Sequence, residues 1–204
     1  EIMIKNIVFD LGGVIADFNP ECRLAFHFEQ KDRKIIYDNV YGSNEWVEMD
    51  KGTISLEETY EKMCSKLPNK FHEKVRHIIY DHTTEMPPID EMYDVVKSLK
   101  ENGYKIYLLS NCPDWFDDFK NSVPALGFFD GFIISAWYNQ IKPEKDIYLT
   151  LLEKFGLKAE ECFFIDDSAK NIKTADELGM KSFCFAERDF DALKKAMIEN
   201  NIII

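Results

Sequence analysis

A carboxylate stands at the end of the first apolar run of this 204-residue chain. Residues 7–9 read Ile-Val-Phe, which is typical of a strand buried on both faces of a parallel sheet, and Asp10 follows them. Gly12 and Gly13 come next, and glycine lets a backbone turn sharply and approach a ligand closely. Ligands of open α/β sheets bind outside the carboxyl ends of the strands. Asp10 is therefore a candidate functional residue, although a lone aspartate at this point could also cap a turn.

Two later apolar runs also end in polar side chains. Ser110 and Asn111 directly follow one of them, and Asp166 and Asp167 directly follow the other. Lys142 lies on a loop, immediately before a proline. The carboxyl ends of parallel strands lie at one edge of a sheet, so these groups can converge with the first carboxylate. Three strand ends with related polar groups are stronger evidence for a site than one.

The residue types suggest metal-assisted chemistry on a phosphoryl group. The three aspartates offer oxygen ligands only, and Mg²⁺ prefers one or two carboxylates together with water and a phosphate oxygen. A metal would also let neighbouring carboxylates stay ionised together. The Ser110 hydroxyl, the Asn111 backbone N–H and the Lys142 ammonium can bind phosphoryl oxygens. Asp10, at the glycine-flanked strand end, is then the candidate nucleophile.

Alternating strands and helices are predicted to position these residues. Apolar runs predict strands at residues 4–9, 105–109, 131–135, 162–165 and 181–185, and helical spacing predicts helices at 89–101, 145–155, 171–178 and 190–199. Strands that alternate with helices imply parallel βαβ crossovers. We therefore expect an α/β fold with a doubly wound parallel sheet.

Residues 18–85 interrupt this alternation, because apolar residues recur there only at helical spacing. Ser55 and Glu58 have the spacing of a capping box at one helix start. Met86-Pro87-Pro88 then marks the return to the sheet. We predict a core made of residues 1–17 and 86–204, with an inserted all-helical domain of about four helices at residues 18–85, which we call the cap.

Composition restricts the partners. Hydrophobic residues make up 46% of the chain, enough for a sizeable core, and the formal net charge is −12. This charge does not favour nucleic acid or an anionic membrane surface as a partner. The overall field would also repel a small phosphorylated substrate, so that lysine, metal and helix N-termini would have to attract it locally.

Cysteine spacing and apolar runs suggest a location. The five cysteines are scattered and lack the spacing of a zinc site. Residues 1–5 lack the basic and apolar stretches of a signal peptide, and no apolar run reaches the roughly 20 residues of a membrane span. We therefore expect a cytoplasmic protein in a reducing compartment.

Four segments resemble, in order and spacing, the motifs of the haloacid dehalogenase-like hydrolase superfamily. They are Phe9-Asp10-Leu11-Gly12-Gly13-Val14, Leu108-Leu109-Ser110-Asn111, Ile141-Lys142-Pro143 and Phe164-Ile165-Asp166-Asp167-Ser168-Ala169-Lys170-Asn171. The cap resembles that of the superfamily's subclass I. The first motif and the Asp-Asp pair are similar to the branch with bacterial glucose-1-phosphate phosphatases and the N-terminal phosphatase domain of soluble epoxide hydrolases. The resemblance implies a Rossmann-like core and a Mg²⁺-dependent phosphatase acting on a small phosphorylated metabolite, such as a sugar phosphate.

The resemblance also assigns roles to individual residues. It implies that Asp10 is the nucleophile and a Mg²⁺ ligand, and that the Gly12 carbonyl and Asp167 are further ligands. Asp166 would contribute directly or through water. The residues that would hold the phosphoryl group are Ser110, Asn111 and Lys142.

Gly12 departs from the commonest pattern of the superfamily. Most of its phosphatases carry a second aspartate at this position, which protonates the leaving oxygen and then activates water. General acid–base catalysis contributes about 10²–10⁴ in rate, so its loss would matter. Asp17 could substitute for it, a substrate with a better leaving group could need less help, or the protein could be nearly inactive. We favour some activity and take Asp17 as the hypothetical substitute.

Several aromatic residues and histidines lie near the motifs. Trp46 could face the site from the cap and contact the leaving group, and Trp115 and Trp137 could line its rim. The histidines are interpreted as structural, because their spacing does not suggest a metal site; they are His27, His72, His77 and His82.

Three other functions use the same fold or site. A haloacid dehalogenase also lacks the second aspartate but needs no metal, which the Asp166-Asp167 pair argues against. A phosphonatase would need a cap lysine in an apolar setting, and none of the candidates has one: Lys31, Lys34, Lys51, Lys62, Lys66, Lys70 and Lys74. A protein that binds or senses a phosphorylated ligand without turnover is the non-enzymatic alternative, and Gly12 is the feature that favours it.

Overall fold

The computed structural model describes residues 3–204, so the first two residues of the predicted core segment 1–17 lie outside the described residues. Within this range the centre is a five-stranded sheet in which all neighbours are parallel. The strands are β1 (Asn6–Phe9), β2 (Lys105–Ser110), β3 (Gly131–Ile134), β4 (Cys162–Asp166) and β5 (Lys181–Cys184). Their order is β3-β2-β1-β4-β5, which places β1 between β2 and β4. The carboxyl ends of these three parallel strands therefore lie side by side at one edge of the sheet.

In the described part of the chain, six α-helices and one 3-10 helix lie between β1 and the return to the sheet. They are α1 (Pro20–His27), α2 (Gln30–Asn39), α3 (Asn44–Lys51), α4 (Leu56–Ser65), the 3-10 helix Asn69–Phe71, α5 (His72–Tyr80) and α6 (His82–Glu85). Extended backbone at Glu29 and Ser43 separates neighbouring helices, so the segment contains more and shorter helices than the four predicted. The predicted capping box at Ser55 and Glu58 is confirmed. These helices share an apolar cluster of their own that includes Ile36, Met63 and Val75.

The remaining helices cover both faces of the sheet. They are α7 (Asp90–Glu101), α8 (Phe116–Phe119), α9 (Ser135–Tyr138), α10 (Lys145–Phe155), α11 (Ala169–Glu177) and α12 (Phe190–Glu199). Successive strand side chains point to opposite faces. Ile7 accordingly belongs to the same apolar cluster as Val95 of α7, whereas Val8 belongs to that of Ile147 of α10. The predicted α/β fold with a doubly wound parallel sheet is confirmed.

The two connections between core and cap are hydrogen-bonded to each other. The Asp17 backbone N–H donates to the Pro87 carbonyl at 2.7 Å, and the Ile89 N–H donates to the Ile15 carbonyl at 3.0 Å. The chain therefore leaves and re-enters the core through one paired crossing. No helix in residues 3–204 is both long and apolar enough to cross a membrane.

Replacing Phe163 by Ala is expected to reduce the free energy of unfolding by about 3–5 kcal/mol. Phe163 lies in β4 with none of its surface exposed, so the substitution leaves a cavity under the sheet. Urea denaturation monitored by circular dichroism measures the effect. Phe26→Ala is the matched control, because that ring is 83% exposed and its loss leaves no cavity. Equal effects of the two substitutions would contradict the description of the core.

Candidate active site

The register of the sheet brings the carboxylates of the first and fourth motifs together. Phe9 of β1 pairs with Ile165 of β4, so the residues that follow them, Asp10 and Asp166, are neighbours. The Asp10 backbone N–H donates to the Ile165 carbonyl at 2.9 Å, which continues the ladder to that point. Carboxylate oxygens of Asp10, Asp166 and Asp167 lie within 4.8 Å of one another. The convergence expected from strand-end positions is therefore present in the structure.

Lys142 lies between two of these carboxylates. Its Nζ atom is 2.8 Å from Asp10 Oδ1 and 2.6 Å from Asp166 Oδ2, and only 1% of its side chain is exposed. Its loop is tied to β2 by the Asn111 side chain, whose Nδ2 donates to the Lys142 carbonyl at 3.0 Å. The Asn111 Oδ1 atom in turn accepts from the Lys142 backbone N–H at 2.8 Å. The Asn111 side chain thus positions Lys142. Of Asn111, only the backbone N–H is then available to a ligand.

Asp166 is fixed by a set of donors that the sequence did not assign. The Asn171 Nδ2 atom lies 2.9 and 3.0 Å from the two Asp166 oxygens, and the Ser168 N–H donates to Oδ1 at 2.8 Å. Together with Lys142 these groups surround a carboxylate that has no exposed surface. Asp167, by contrast, is exposed. Asn171 was part of the recognised motif, and its spacing of five residues after a strand-end aspartate was the available signal.

The electrostatics of this group favour a proton or a cation beside Asp10. Burial raises the pKa of Asp10 to about 8, because the Lys142 charge only partly offsets it and Asp166 and Asp167 raise it further. Burial also raises the pKa of Asp167. Lys142 keeps a raised pKa, since its two carboxylate neighbours outweigh the effect of burial. Three carboxylates around one ammonium leave an excess of negative charge at this edge of the sheet.

These residues fit a Mg²⁺ ion. The donors are carboxylate oxygens, which are the ligands that a hard cation prefers, and a divalent charge would neutralise their excess. Gly13 makes the arrangement sterically possible, since its φ is +76° and a Cβ atom there would lie 2.3 Å from Asp167 Oδ2. Only glycine provides both this backbone conformation and this space.

A pocket between cap and core lies beside this group: it is lined by residues that directly follow Asp10 and β2, although none of Asp10, Lys142, Asp166 and Asp167 is itself among the lining residues found in residues 3–204. Gly12, Ser110 and Asn111 line it from the core. The cap and its connections add residues with apolar and aromatic side chains: Phe18, Tyr41, Trp46, Met49, Ile78, Ile79 and Met86. The Phe18 ring lies 5.9 Å from those of both Tyr41 and Trp46. The part of the pocket wall that the cap and its connections supply is therefore largely apolar and contains three aromatic rings.

The three tryptophans and Asp17 have different positions relative to this pocket. Trp46 and Trp115 line it, and the Trp115 ring stacks on His82 at a centroid distance of 3.9 Å. Trp137 is not among the lining residues found in the described part of the chain. Asp17 is not among them either: its Oδ1 is 2.5 Å from Nη2 of Arg188, on a loop of the core. The structure thus does not bring Asp17 to the pocket, and its acid–base role stays a prediction.

Two of the histidines that are interpreted above as structural contact the same buried glutamate. Nε2 of His27 and Nε2 of His77 lie 2.9 and 3.1 Å from Glu85 Oε1. Glu85 Oε2 lies 3.6 Å from Arg23 Nε, and neither of these two atoms has a hydrogen-bond partner within residues 3–204. Both Arg23 and Glu85 line the pocket. The cap end of the pocket therefore holds an ion pair in which one donor atom and one acceptor atom lack a hydrogen-bond partner.

Comparisons with known proteins match most of the length of this chain. A family model described as haloacid dehalogenase-like hydrolase matches residues 4–179. A sesquiterpene phosphatase of Aspergillus oryzae is 26% identical over 179 residues, which are 86% of this chain and 87% of that protein. The D-ribitol-5-phosphate phosphatase of Bacteroides thetaiotaomicron is 24% identical over 196 residues, which are 89% of this chain and 91% of that protein.

A solved structure shows the same architecture. A HAD family enzyme of Bacteroides thetaiotaomicron, crystallised with magnesium and inorganic phosphate, has a TM-score of 0.71 and 26% identity to this chain. The match covers 93% of this chain and 98% of that one. With its parallel sheet, its four motifs and a family match over most of its length, the chain belongs to the haloacid dehalogenase-like hydrolases.

Proposed function

We propose that this protein is a Mg²⁺-dependent phosphatase that hydrolyses a small phosphomonoester through an aspartyl-phosphate on Asp10. The observation that carries the proposal is the convergence of three carboxylates and the buried Lys142 next to Ser110 and Asn111, which line the neighbouring pocket. Two relatives are named as phosphatases, and the similar structure binds magnesium and phosphate, which supports the same reading.

Mg²⁺ would be held by Asp10, Asp167 and the Gly12 carbonyl, with Asp166 acting directly or through water. When bound, such an ion neutralises the excess negative charge and offsets the repulsion between substrate and carboxylates. Lys142 already pairs with Asp10 and Asp166, and its ammonium would bind a phosphoryl oxygen from the opposite side. The Ser110 hydroxyl and the Asn111 backbone N–H would donate to the remaining oxygens.

Asp10 would attack phosphorus as the anion. One of its oxygens forms the new bond to phosphorus while the bond to the leaving oxygen breaks. Water then attacks the same phosphorus atom, the Asp10–phosphorus bond breaks and inorganic phosphate leaves. The cap excludes bulk water from the pocket during the first step and contacts the leaving group.

The pocket indicates what kind of leaving group fits. Its aromatic wall, formed by Phe18, Tyr41 and Trp46, suits the apolar face of a sugar ring or another flat or apolar body. The Arg23 Nε and Glu85 Oε2 atoms, which lack hydrogen-bond partners within residues 3–204, can bind a hydroxyl, which both accepts and donates. We therefore propose a hydroxylated small metabolite, with a sugar phosphate as one member of that class.

Two alternative reactions have less support. A dehalogenase needs no metal, and the buried, fully hydrogen-bonded Asp166 would then have no evident use. A phosphonatase needs a cap lysine in the pocket, and within residues 3–204 no lysine is found among the lining residues. Binding without turnover remains the second candidate function, because Gly12 removes the usual acid–base carboxylate.

Turnover of p-nitrophenyl phosphate is expected in Mg²⁺ and should be abolished by EDTA. Asp10→Asn should reduce it by roughly 10⁴-fold or more, because the nucleophile is lost. A colorimetric assay with and without Mg²⁺, extended to a panel of phosphate esters, measures both effects. No turnover across the panel would favour the binding protein, and metal-independent chloride release from a haloacid would favour the dehalogenase.

Gly13→Ala should weaken activation by Mg²⁺ by about 10- to 100-fold. A Cβ atom at this position displaces Asp167 and strains a backbone with positive φ. The Mg²⁺ concentration for half-maximal activity is the measurement. Gly127→Ala is the matched control, because a Cβ atom there meets no atom within 4 Å. Equal Mg²⁺ requirements for both variants would contradict the assignment of Asp167 as a ligand.

Asp10→Asn should stabilise the metal-free protein more at pH 8.5 than at pH 5. The pKa of Asp10 is about 8 in the folded protein against an ordinary value of 3.8, so the folded state binds more protons than the unfolded state between these values. The free energy of unfolding of the metal-free protein must then fall as pH rises from about 4 to about 8. Asparagine has no proton to lose in this range, so the variant should not show this fall. Thermal unfolding in EDTA measures it, with the exposed Asp94→Asn as control. If the difference in stability between Asp10→Asn and the wild-type protein did not change with pH, the ionisation of Asp10 would not destabilise the folded protein.

A further inference from the structure

The proposed phosphatase reaction lacks a proton donor in the core, because Gly12 has no side chain. We propose that Asp50, on the cap, fills this role: its carboxyl protonates the leaving oxygen and its carboxylate then takes a proton from the attacking water. This inference rests on the proposed function and adds the residue that completes its chemistry.

Three contacts hold the Asp50 segment against the core. The Ser135 hydroxyl donates to the Asp50 carbonyl and accepts a hydrogen bond from the Cys112 backbone N–H at 2.8 Å. Cys112 directly follows Asn111, so one hydroxyl joins the end of α3 to the phosphoryl-binding loop. The Asn139 Nδ2 atom donates to the carbonyls of Lys51 and of the residue after it, at 3.1 and 3.2 Å.

The backbone comes unusually close to the core at the next turn. Gly52 has a φ of +73°, and a Cβ atom there would lie 2.6 Å from the Ala136 carbonyl oxygen. Lys51 adds an ion pair with Glu144 of the core, at 3.2 Å. The cap is therefore docked at this turn, and Asp50 lines the pocket together with Gly12, Ser110 and Asn111.

Other titratable side chains of the pocket are less suited to the task. Those that line it within residues 3–204 are Arg23, Tyr41, Asp50, His82, Glu85 and Cys112. Burial raises the pKa of both Tyr41 and Cys112, so that both are weak acids and stay protonated near neutrality, which leaves neither of them available as a base. Burial lowers the pKa of His82 to about 4, so that it carries no proton to give near neutrality. Arginine does not give up its proton in proteins.

Glu85 and Asp50 are the two carboxyls that remain. Glu85 Oε1 is held by His27 and His77, and Arg23 lies beside its other oxygen. Burial raises the pKa of Asp50 to about 7, with the Trp46 side chain and the more distant Lys142 charge only partly opposing it. A carboxyl that titrates near the working pH can both give and take a proton.

The proton balance of the two steps is complete. In the first step the Asp50 proton moves to the leaving oxygen as its bond to phosphorus breaks, and the alcohol leaves uncharged. In the second step water forms a bond to phosphorus, one water proton returns to the Asp50 carboxylate, and the Asp10 carboxylate is released. The same side chain is restored at the end of each cycle.

Asp50→Asn separates this role from a structural one through the leaving group. For an alkyl phosphate, whose alkoxide needs a proton to leave, the variant should lose about 10²–10⁴ in kcat. For p-nitrophenyl phosphate, whose phenolate leaves without one, the first step should be slowed by less than about 10-fold, whereas steady-state turnover should fall because the second step has lost its base. Rapid mixing of the variant with excess p-nitrophenyl phosphate should therefore show a burst of p-nitrophenolate followed by slow turnover, and the alkyl phosphate should show no burst. Glu48→Gln, on the same helix and outside the pocket, is the matched control and should change neither rate appreciably.

Three results would overturn the proposal. They are equal slowing of the first step for both substrates in Asp50→Asn, no loss for either, and a first-step loss selective for the alkyl phosphate in Asp17→Asn instead. Turnover of p-nitrophenyl phosphate by Asp50→Asn also reports that the variant is folded. If the wild-type protein hydrolyses neither ester, it is the proposed phosphatase function that fails, which distinguishes the two outcomes.

Discussion

The burial of several carboxylates around one ammonium is the constraint on which the rest of this site depends. Taking an ion out of water costs several kcal/mol unless it is paired and hydrogen-bonded. Lys142 pairs with Asp10 and Asp166, and Asn171 and Ser168 satisfy the other lone pairs of Asp166. The three carboxylates still outnumber the single ammonium. Burial, together with the charges of Asp166 and Asp167, therefore raises the pKa of Asp10. A divalent cation would relieve this imbalance, which is the physical reason for including Mg²⁺ in the proposed function.

The cap supplies what this charged edge lacks. The core offers charge and hydrogen-bond donors for a phosphoryl group but, at Gly12, no proton donor, and most of the apolar residues that line the pocket come from the cap and its connections. A Cβ atom at Gly12 would lie 3.2 Å from Phe18 Cβ, closer than a relaxed contact, so a side chain there would require Phe18, part of the aromatic wall, to shift by a few tenths of an ångström. The same docking that brings this wall over the site brings Asp50 with it. Loss of a core carboxyl and its replacement from the cap are thus consistent with one packing arrangement.

The sequence predicted most of the core and the position of the charged groups. Continuous apolar strands and the alternation with helices determined the sheet, and strand-end positions were enough to place Asp10, Ser110 and Asp166 at one edge. The exact strand bounds differ by one or two residues, as for β1, which begins at Asn6 rather than residue 4. Such bounds depend on hydrogen-bond pairing with neighbouring strands, which periodicity does not contain.

Contacts between distant segments were the part that the sequence could not provide. The pairing of Asp17 with Arg188 spans 171 positions, and that of Asp50 with Ser135 spans 85. No local pattern encodes either of them, so the nearest acidic residue, Asp17, was the natural hypothesis for the acid. The sequence predicts about four helices in the cap, whereas the structure has six α-helices there. Apolar residues keep helical spacing across the extended residues between short helices, so the spacing does not show where one helix ends and the next begins. His27, His77 and Glu85 likewise come from three different helices.

The stereochemical course at phosphorus tests the central claim, that Asp10 forms a covalent intermediate, most directly. A phosphomonoester made chiral with oxygen isotopes would be hydrolysed in isotopically labelled water, and the configuration of the released phosphate would be determined. Two successive in-line displacements, first by Asp10 and then by water, predict retention of configuration. Inversion would mean that water attacks the substrate directly, and it would contradict the account.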